Sequence, residues 1–71
     1  MKYARFSNLQ EVVLQFDYVA CRTEAACLLS FGDEKVWIPE RHISWIDERE
    51  GEVLVPEWVA LDKGLEIYIK D

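Results

Sequence analysis

Two β-type runs that each end in proline constrain the fold more than any other feature of the sequence. Residues 35–39 read Lys-Val-Trp-Ile-Pro, and residues 53–58 read Val-Leu-Val-Pro-Glu-Trp. Proline has no N–H for the next ladder bond and disfavours helix in the residue before it. Each run is therefore predicted to be a short strand that ends at its proline. Together the two strands are predicted to form the middle of a small, mostly β domain.

The length of 71 residues indicates a single domain over residues 1–71, because domains typically hold on the order of 100 residues. Apolar residues make up 51% of the sequence, and nine residues are aromatic. This is more than a minimal core requires. The surplus is consistent with an exposed apolar patch that binds a partner or a second copy, as in a homodimer.

The sequence predicts a cytoplasmic protein that does not enter a membrane. No window reaches the roughly 18 apolar residues of a membrane span, and residues 1–6 lack the apolar region of a signal peptide. The net charge is −6, and residues 33–71 carry all of it, with eleven acids against five bases. Such a surface makes nucleic acid an unlikely partner, since backbone binding needs lysines and arginines, and it favours a basic protein surface.

Residues 9–20 fit two periodicities, and the sequence leaves strand and helix open there. Valines and aromatic residues are enriched in strands and lose χ1 freedom in helices. We therefore expect one long strand over residues 11–22, preceded by at most one helical turn at residues 7–10.

The remaining elements follow from turn and cap signals. Gly32 predicts a tight turn between antiparallel strands at residues 25–31 and 35–38. Residues 40–42 predict a 3₁₀ turn, and residues 48–52 a charged hairpin tip between strands 43–47 and 53–55. Pro56 and Gly64 bracket a short helix whose residues Trp58, Leu61 and Val59 are expected to face the core. Alternation over residues 65–69 predicts a closing strand.

Five to six short antiparallel strands, tight turns and one short helix are typical of a small SH3-like or OB-like barrel. Closing the sheet would remove the exposed edges of an apolar chain. The predicted fold class is therefore mainly β, as a small barrel.

No constellation in the sequence predicts catalysis, a metal or a cofactor. His42 is the only histidine, and nothing places it beside Cys21, Cys27 or a serine as nucleophilic chemistry requires. Zinc needs four ligands at recognisable spacing, and these three residues do not provide it. The two cysteines are expected to be small buried thiols. The protein is therefore predicted not to be an enzyme.

Aromatic and acidic residues are the candidates for binding a partner. Large aromatics are an effective way to build the core of a small domain, so the tryptophans fit either a core or an interface. Acids beside Gly51 are typical of a solvated turn, yet they also offer charge to a basic partner. The predicted partner-binding residues are Trp37, Trp45, Asp47, Glu48, Glu50 and Glu52.

Four segments also resemble a known group of proteins. They are residues 26–31 (Ala-Cys-Leu-Leu-Ser-Phe), 34–39 (Glu-Lys-Val-Trp-Ile-Pro), 55–60 (Val-Pro-Glu-Trp-Val-Ala) and 63–65 (Lys-Gly-Leu). This pattern, over roughly residues 24–65, resembles short uncharacterised proteins encoded by bacteriophages and prophages. The resemblance implies a phage origin and the cytoplasm of a bacterial host, and it implies no mechanism. Residues 41–45 and 66–71 depart from the pattern.

The leading hypothesis is a non-enzymatic phage protein that binds a host or phage protein, for example as an anti-CRISPR-like inhibitor of a host defence system. One alternative is a barrel that binds single-stranded nucleic acid through Trp37 or Trp45 with Lys35 and Arg41. The other is a structural protein that assembles with copies of itself.

Overall fold

The computed structural model describes residues 10–71, which form six antiparallel strands, one short α-helix and two 3₁₀ turns. The prediction of a mainly β fold is confirmed. The predicted helical turn at residues 7–10 lies almost entirely outside the described residues. The elements are β1 (Glu11–Gln15), β2 (Tyr18–Arg22), β3 (Ala26–Phe31), β4 (Glu34–Pro39), β5 (Trp45–Asp47), β6 (Glu52–Pro56) and α1 (Glu57–Asp62), with 3₁₀ turns at Glu40–His42 and Glu66–Tyr68.

The strands form two three-stranded antiparallel sheets. Sheet 1 has the order β1-β6-β5, and sheet 2 has the order β2-β3-β4. The predicted antiparallel pairing around Gly32 is confirmed as the β3–β4 hairpin, with Leu28 opposite Trp37. Within the described residues no ladder joins β4 to β5. The closed SH3-like or OB-like barrel therefore stays a prediction.

Residues 11–22 are strand and not helix, but they do not form the single long strand that the sequence predicted. The ladder breaks at Phe16 and Asp17. The Phe16 N–H donates to the carbonyl of Gly51 at 2.8 Å, and the Asp17 N–H donates to the carbonyl of Ser30 at 2.8 Å. These two bonds have partners in different parts of the fold, so the chain leaves sheet 1 here and enters sheet 2.

One glycine in each sheet forms a hairpin turn. Gly32 has φ +61° at the first position of a two-residue turn, and its N–H donates to the carboxylate of Asp17 at 2.9 Å. Gly51 has φ +71° in the β5–β6 connection, and a Cβ there would collide with the carbonyl oxygen of Phe16. Both positions therefore need glycine, the second for space as well as for backbone conformation.

The helix is close to its predicted position but buries different residues. Pro56 precedes α1 with φ −60° and ψ 143° instead of being its first helical residue. Val59 is buried as predicted, together with Ala60, whereas Trp58 and Leu61 are exposed, so their predicted core role is wrong. Neighbouring helical residues are about 100° apart around the axis. Because Val59 and Ala60 face the core, Trp58 and Leu61 on either side of them lie at the edge of the buried helix face.

The predicted closing strand at residues 65–69 is wrong. Gly64, at φ +70°, donates to the carbonyl of Leu61, and Leu65 donates to that of Ala60. These two bonds form a Schellman motif, which turns the chain and buries Leu65. A 3₁₀ turn follows, and Ile67 is 80% exposed. Of residues 65–69, only Ile69 forms a β-bridge, and its partner is Leu14.

The core lies between the inner faces of the two sheets and is closed by α1 and Leu65. It contains aliphatic residues, two phenylalanines and one cysteine. Its members are Leu14, Phe16, Cys27, Leu29, Phe31, Ile38, Val53, Val55, Val59, Ala60 and Leu65. The Tyr68 ring packs at 5.0 Å from that of Phe31, and its hydroxyl donates to the Phe31 carbonyl at 3.4 Å.

Candidate functional site

All three tryptophans lie on the surface. Trp37 and Trp45 are each 45% exposed, and Trp58 is 39% exposed. The interpretation of the tryptophans as core residues is therefore wrong. Tryptophan is highly buried on average in folded proteins and is enriched at interfaces. The three half-exposed indoles are therefore the candidates for contact with a partner.

Trp45 ends an apolar row on the outer face of sheet 1. It lies opposite Leu54, which lies opposite Val13 on β1. The next outward row consists of Asp47, Glu52 and Gln15, because side chains two residues apart on a strand share a face. We call this surface, made of Val13, Leu54, Trp45, Asp47 and Glu52, the Trp45 face. It brings three of the six predicted partner-binding residues together.

The acids of the β5–β6 turn are largely engaged within the chain. The Asp47 carboxylate accepts the N–H groups of Arg49 at 3.0 Å and Glu50 at 3.1 Å. Glu48 pairs with Arg22 at 3.0 Å, and Glu52 pairs with Lys70. The hydrogen bond and charge of Glu52 raise the pKa of Lys70.

Glu50 differs from its neighbours, because its carboxylate forms no ion pair within residues 10–71. The positive charges of Arg22 and Lys70 offset the negative charges of Glu48 and Glu52. Asp47 and Glu50 are therefore the carboxylates of this turn that no ion pair within the described residues offsets, and the exposed Arg49 between them adds one positive charge.

Trp37 lies on a different surface, the outer face of sheet 2. It is opposite Leu28, which is opposite Cys21 on β2. In the next row of the same face, Tyr18 lies opposite the buried Ser30, which lies opposite Lys35. We call the surface made of Tyr18, Cys21, Leu28 and Trp37 the Trp37 face. The structure therefore does not unite Trp37 with Trp45 and the acidic turn.

Trp58 lies in a groove between the 3₁₀ turn after β4 and helix α1. The groove has a volume of about 200 Å³ and is lined by Pro39, Arg41, His42, Trp58, Val59, Asp62 and Lys63. The His42 ring stands edge-on to the Trp58 indole, with 5.0 Å between ring centroids and 80° between planes. We call this the Trp58 groove. Of the two cations in the nucleic-acid hypothesis, Arg41 lines this groove, whereas Lys35 lies in the sheet 2 row beside Tyr18 and Ser30.

The buried thiol of Cys27 forms hydrogen bonds with two charged side chains. The Cys27 thiol donates to the Glu40 carboxylate at 3.0 Å, and the Arg22 Nε donates to the Cys27 sulfur at 3.2 Å. Burial raises the pKa of Cys27, and the hydrogen bond to Glu40 raises it further, against the opposing effect of Arg22. A thiol held protonated in this way is a poor nucleophile. The cluster ties β2, β3 and the 3₁₀ turn together.

The two cysteines are not alike. Cys27 is buried as expected, whereas Cys21 is exposed, so the prediction that both thiols are buried is wrong for Cys21. Cys21 shares a face with Leu28 on the outside of sheet 2, and Cys27 points to the core. Among residues 10–71, no cluster of three or more histidine, cysteine or acidic residues has the proximity to hold a metal ion.

Over the same part of the chain, no helix has the length and apolarity needed to cross a membrane. Comparison with protein-family models, with curated proteins and with solved structures finds no match to this chain.

Sequence reasoning missed the apolar partners of the tryptophans and the Trp58 groove. The strand register places half-buried Val13 and Leu54 beside Trp45, and half-buried Leu28 and exposed Cys21 beside Trp37. Alternation within a strand predicts which of its side chains share a face. It does not predict which residue of the neighbouring strand lies opposite each of them. The groove joins residues 39–42 to residues 58–63, and no local pattern reports that contact.

Proposed function

We propose that this chain is a non-enzymatic protein that binds another protein through the Trp45 face. The observation that carries the proposal is an apolar row, Val13–Leu54–Trp45, that crosses a whole sheet on its solvent side and is flanked by carboxylates. Interfaces combine an apolar centre containing tryptophan with a polar rim. The Trp45 face has both parts.

The partner is proposed to present a basic surface. The chain carries a net charge of −6, Asp47 lies in the row next to the apolar row, and Glu50 follows it in the β5–β6 turn. Charge at the rim of an interface chiefly raises the association rate and rejects wrong partners, while buried aromatic contacts supply most of the affinity. Trp45 is accordingly the proposed anchor, and Glu50 a steering charge.

The biological setting of the proposal follows from the sequence resemblance to phage and prophage proteins. We propose that the protein acts in the cytoplasm of a bacterial host and binds a host or phage protein. An inhibitor of a host defence system, in the manner of an anti-CRISPR protein, is one concrete version. The basic nucleic-acid-binding surface of such a system matches the charge of the Trp45 face.

Affinity capture from bacterial lysate tests this proposal with matched variants. Trp45→Ala is expected to lose the captured partner, because truncating a hot spot costs about 2 kcal/mol or more, roughly 30-fold in affinity. Glu50→Lys is expected to weaken capture. Glu34→Lys makes the same charge change on sheet 2 and is expected to bind normally. Equal loss by both charge variants would indicate a response to net charge instead of a specific surface.

A second candidate function, self-association, is favoured by the Trp37 face. This surface places Tyr18, Cys21, Leu28 and Trp37 together with Lys35 as the one charged neighbour in its rows. An apolar surface with a single charged neighbour resembles the interface of a homodimer. Light scattering after size exclusion tests this candidate. A dimer that becomes monomeric in Trp37→Ala supports it, and a monomer at high concentration rejects it.

We further propose that the two sheets belong to one small barrel of the SH3-like or OB-like kind. The support is the bent segment of residues 11–22, which pairs with β6 in one half and with β3 in the other. Short proton–proton distances between β4 and β5, measured by NMR, would show that these two strands pair and that the barrel is closed. Strong exchange of the amides of both edges with solvent would show that it is open.

A further inference from the structure

The Trp58 groove is a local cationic site on an acidic protein. Arg41 and Lys63 against Asp62 leave one net positive charge in the groove, so the rest of the chain carries seven net negative charges to reach −6 overall. Neither Arg41 nor Lys63 forms an ion pair within residues 10–71. Arg22 and Lys70, by contrast, are both paired. Two cations without an internal partner therefore line the same groove.

The groove also has a flat aromatic wall. The Trp58 indole is 39% exposed, and the His42 ring lies 5.0 Å from it at 80° between planes. Val59, which is buried, and Pro39 supply further apolar lining. Aromatic faces stack on planar groups, and guanidinium groups bind carboxylates through two parallel hydrogen bonds.

The size of the groove limits what it holds. Its volume of about 200 Å³ is below the roughly 300–1,000 Å³ of pockets for drug-sized ligands. A nucleotide or a larger cofactor is too big to be enclosed. A single planar group with one anionic substituent matches both the volume and the residues.

We propose that the Trp58 groove binds a small planar organic anion, an aromatic carboxylate, independently of the Trp45 face. The ring of the ligand lies against Trp58 and Pro39, and its carboxylate faces Arg41 and Lys63. Asp62 opposes the same carboxylate by like charge and limits the affinity. The site therefore selects for negative charge in a protein whose overall charge repels it.

Titration of the ¹⁵N-labelled protein with 2-naphthoate tests the proposal, with the Trp58 indole Nε1–H resonance as the reporter. Trp58→Phe assigns that resonance. The expected result is a saturable shift of the Trp58 resonance with little change at Trp37 and Trp45. The uncharged 2-naphthamide and the ring-free acetate are expected to bind at least about threefold more weakly. The proposal would be overturned if 2-naphthamide or acetate bound as tightly as 2-naphthoate. It would also be overturned if 2-naphthoate shifted other resonances and left that of Trp58 unchanged.

Charge variants give a second readout with opposite signs. Arg41→Gln and Lys63→Gln are each expected to weaken 2-naphthoate about two- to fivefold, the range of exposed charge pairs. Asp62→Asn is expected to strengthen it by a similar factor. Lys35→Gln removes a cation outside the groove and is expected to bind normally. Thermal unfolding shows whether each variant is folded, and normal binding by folded Arg41→Gln and Lys63→Gln would overturn the proposal.

The result is separable from the fate of the proposed protein-binding function. Trp45→Ala removes the anchor of the Trp45 face and leaves the Trp58 groove intact. It is expected to bind 2-naphthoate as the unchanged protein does, while losing its protein partner. A ligand that binds with no protein partner captured would leave the groove supported and the Trp45 face contradicted.

Discussion

Trp45 on β5 lies directly opposite Leu54 on β6, on the side of sheet 1 that faces solvent. Leu54 in turn lies opposite Val13, so three strands contribute to one apolar row that ends in a half-exposed indole. None of the three belongs to the buried core. The domain therefore maintains this row in addition to the core that holds it together.

Truncating Trp45 is expected to cost little stability. In Trp45→Ala the free energy of unfolding should fall by less than about 1.5 kcal/mol, since the indole is already half in water. Leu29→Ala is the matched comparison, because Leu29 is fully buried, and it should cost about 2–5 kcal/mol. Urea denaturation measures both values. A larger loss for Trp45→Ala than for Leu29→Ala would assign Trp45 to the core.

Two glycines with nearly the same φ are expected to respond differently to alanine. Gly64→Ala should cost about 1–2 kcal/mol, the conformational penalty alone, because nothing lies within 4 Å of the added Cβ. Gly51→Ala adds a collision with the carbonyl oxygen of Phe16 and should cost clearly more. Thermal unfolding of the two variants compares them directly. Equal losses would show that the β5–β6 turn accommodates a side chain.

The two thiols are expected to differ in reactivity. Cys21 should react quickly with a disulfide reagent such as DTNB, because it is exposed, whereas buried Cys27 should react only on unfolding. Cys21→Ser should abolish the fast phase. A fast phase that survives in Cys21→Ser would place the Cys27 thiol within reach of solvent.

Stability is expected to fall in mildly alkaline solution because of Cys27. Burial and Glu40 raise the pKa of Cys27 above its usual value of 9.0 in the folded protein. As the pH rises through 9, the unfolded chain therefore releases the thiol proton first, which favours unfolding until the folded thiol also ionises. The loss is at most about 1.4 kcal/mol per pH unit. Well below pH 9 the thiol is protonated in both the folded and the unfolded chain, so this loss of stability is absent there.

Urea unfolding between pH 8 and 10 measures this loss in matched variants. Cys27→Ala should flatten the pH dependence, and Cys21→Ala should retain it. The pKa values of Lys70 and Arg22 are also raised, but both groups titrate above this window. An unchanged slope in Cys27→Ala would mean that another group is responsible.

The sequence predicted local features well because they depend on local chemistry. Gly32 marks a turn because few other residues accept positive φ, and Gly64 marks the end of α1 for the same reason. The strand character of residues 11–22 followed from β-branched side chains. The 3₁₀ turn at Glu40–His42 followed from its position between Pro39 and the next apolar run.

Tertiary contacts decided what local reasoning could not. The break at Phe16 depends on the carbonyl of Gly51, thirty-five residues away, and no local signal marks it. Leu65 and Ile67 have the spacing of a strand face, yet the Schellman motif buries Leu65, and Ile67 is exposed in the 3₁₀ turn that follows. The sequence left core and interface open for the tryptophans, and it placed Trp58 in the core. Their exposure depends on which face of each strand the register turns outward.

The three indole Nε1–H resonances provide the most direct test of the central claim. Trp45, Trp37 and Trp58 lie on three separate surfaces, so each resonance reports one surface when the labelled protein is titrated with its captured protein partner. We expect the Trp45 resonance to shift or broaden while those of Trp37 and Trp58 change little. Movement of Trp37 or Trp58 with Trp45 unchanged would contradict binding through the Trp45 face.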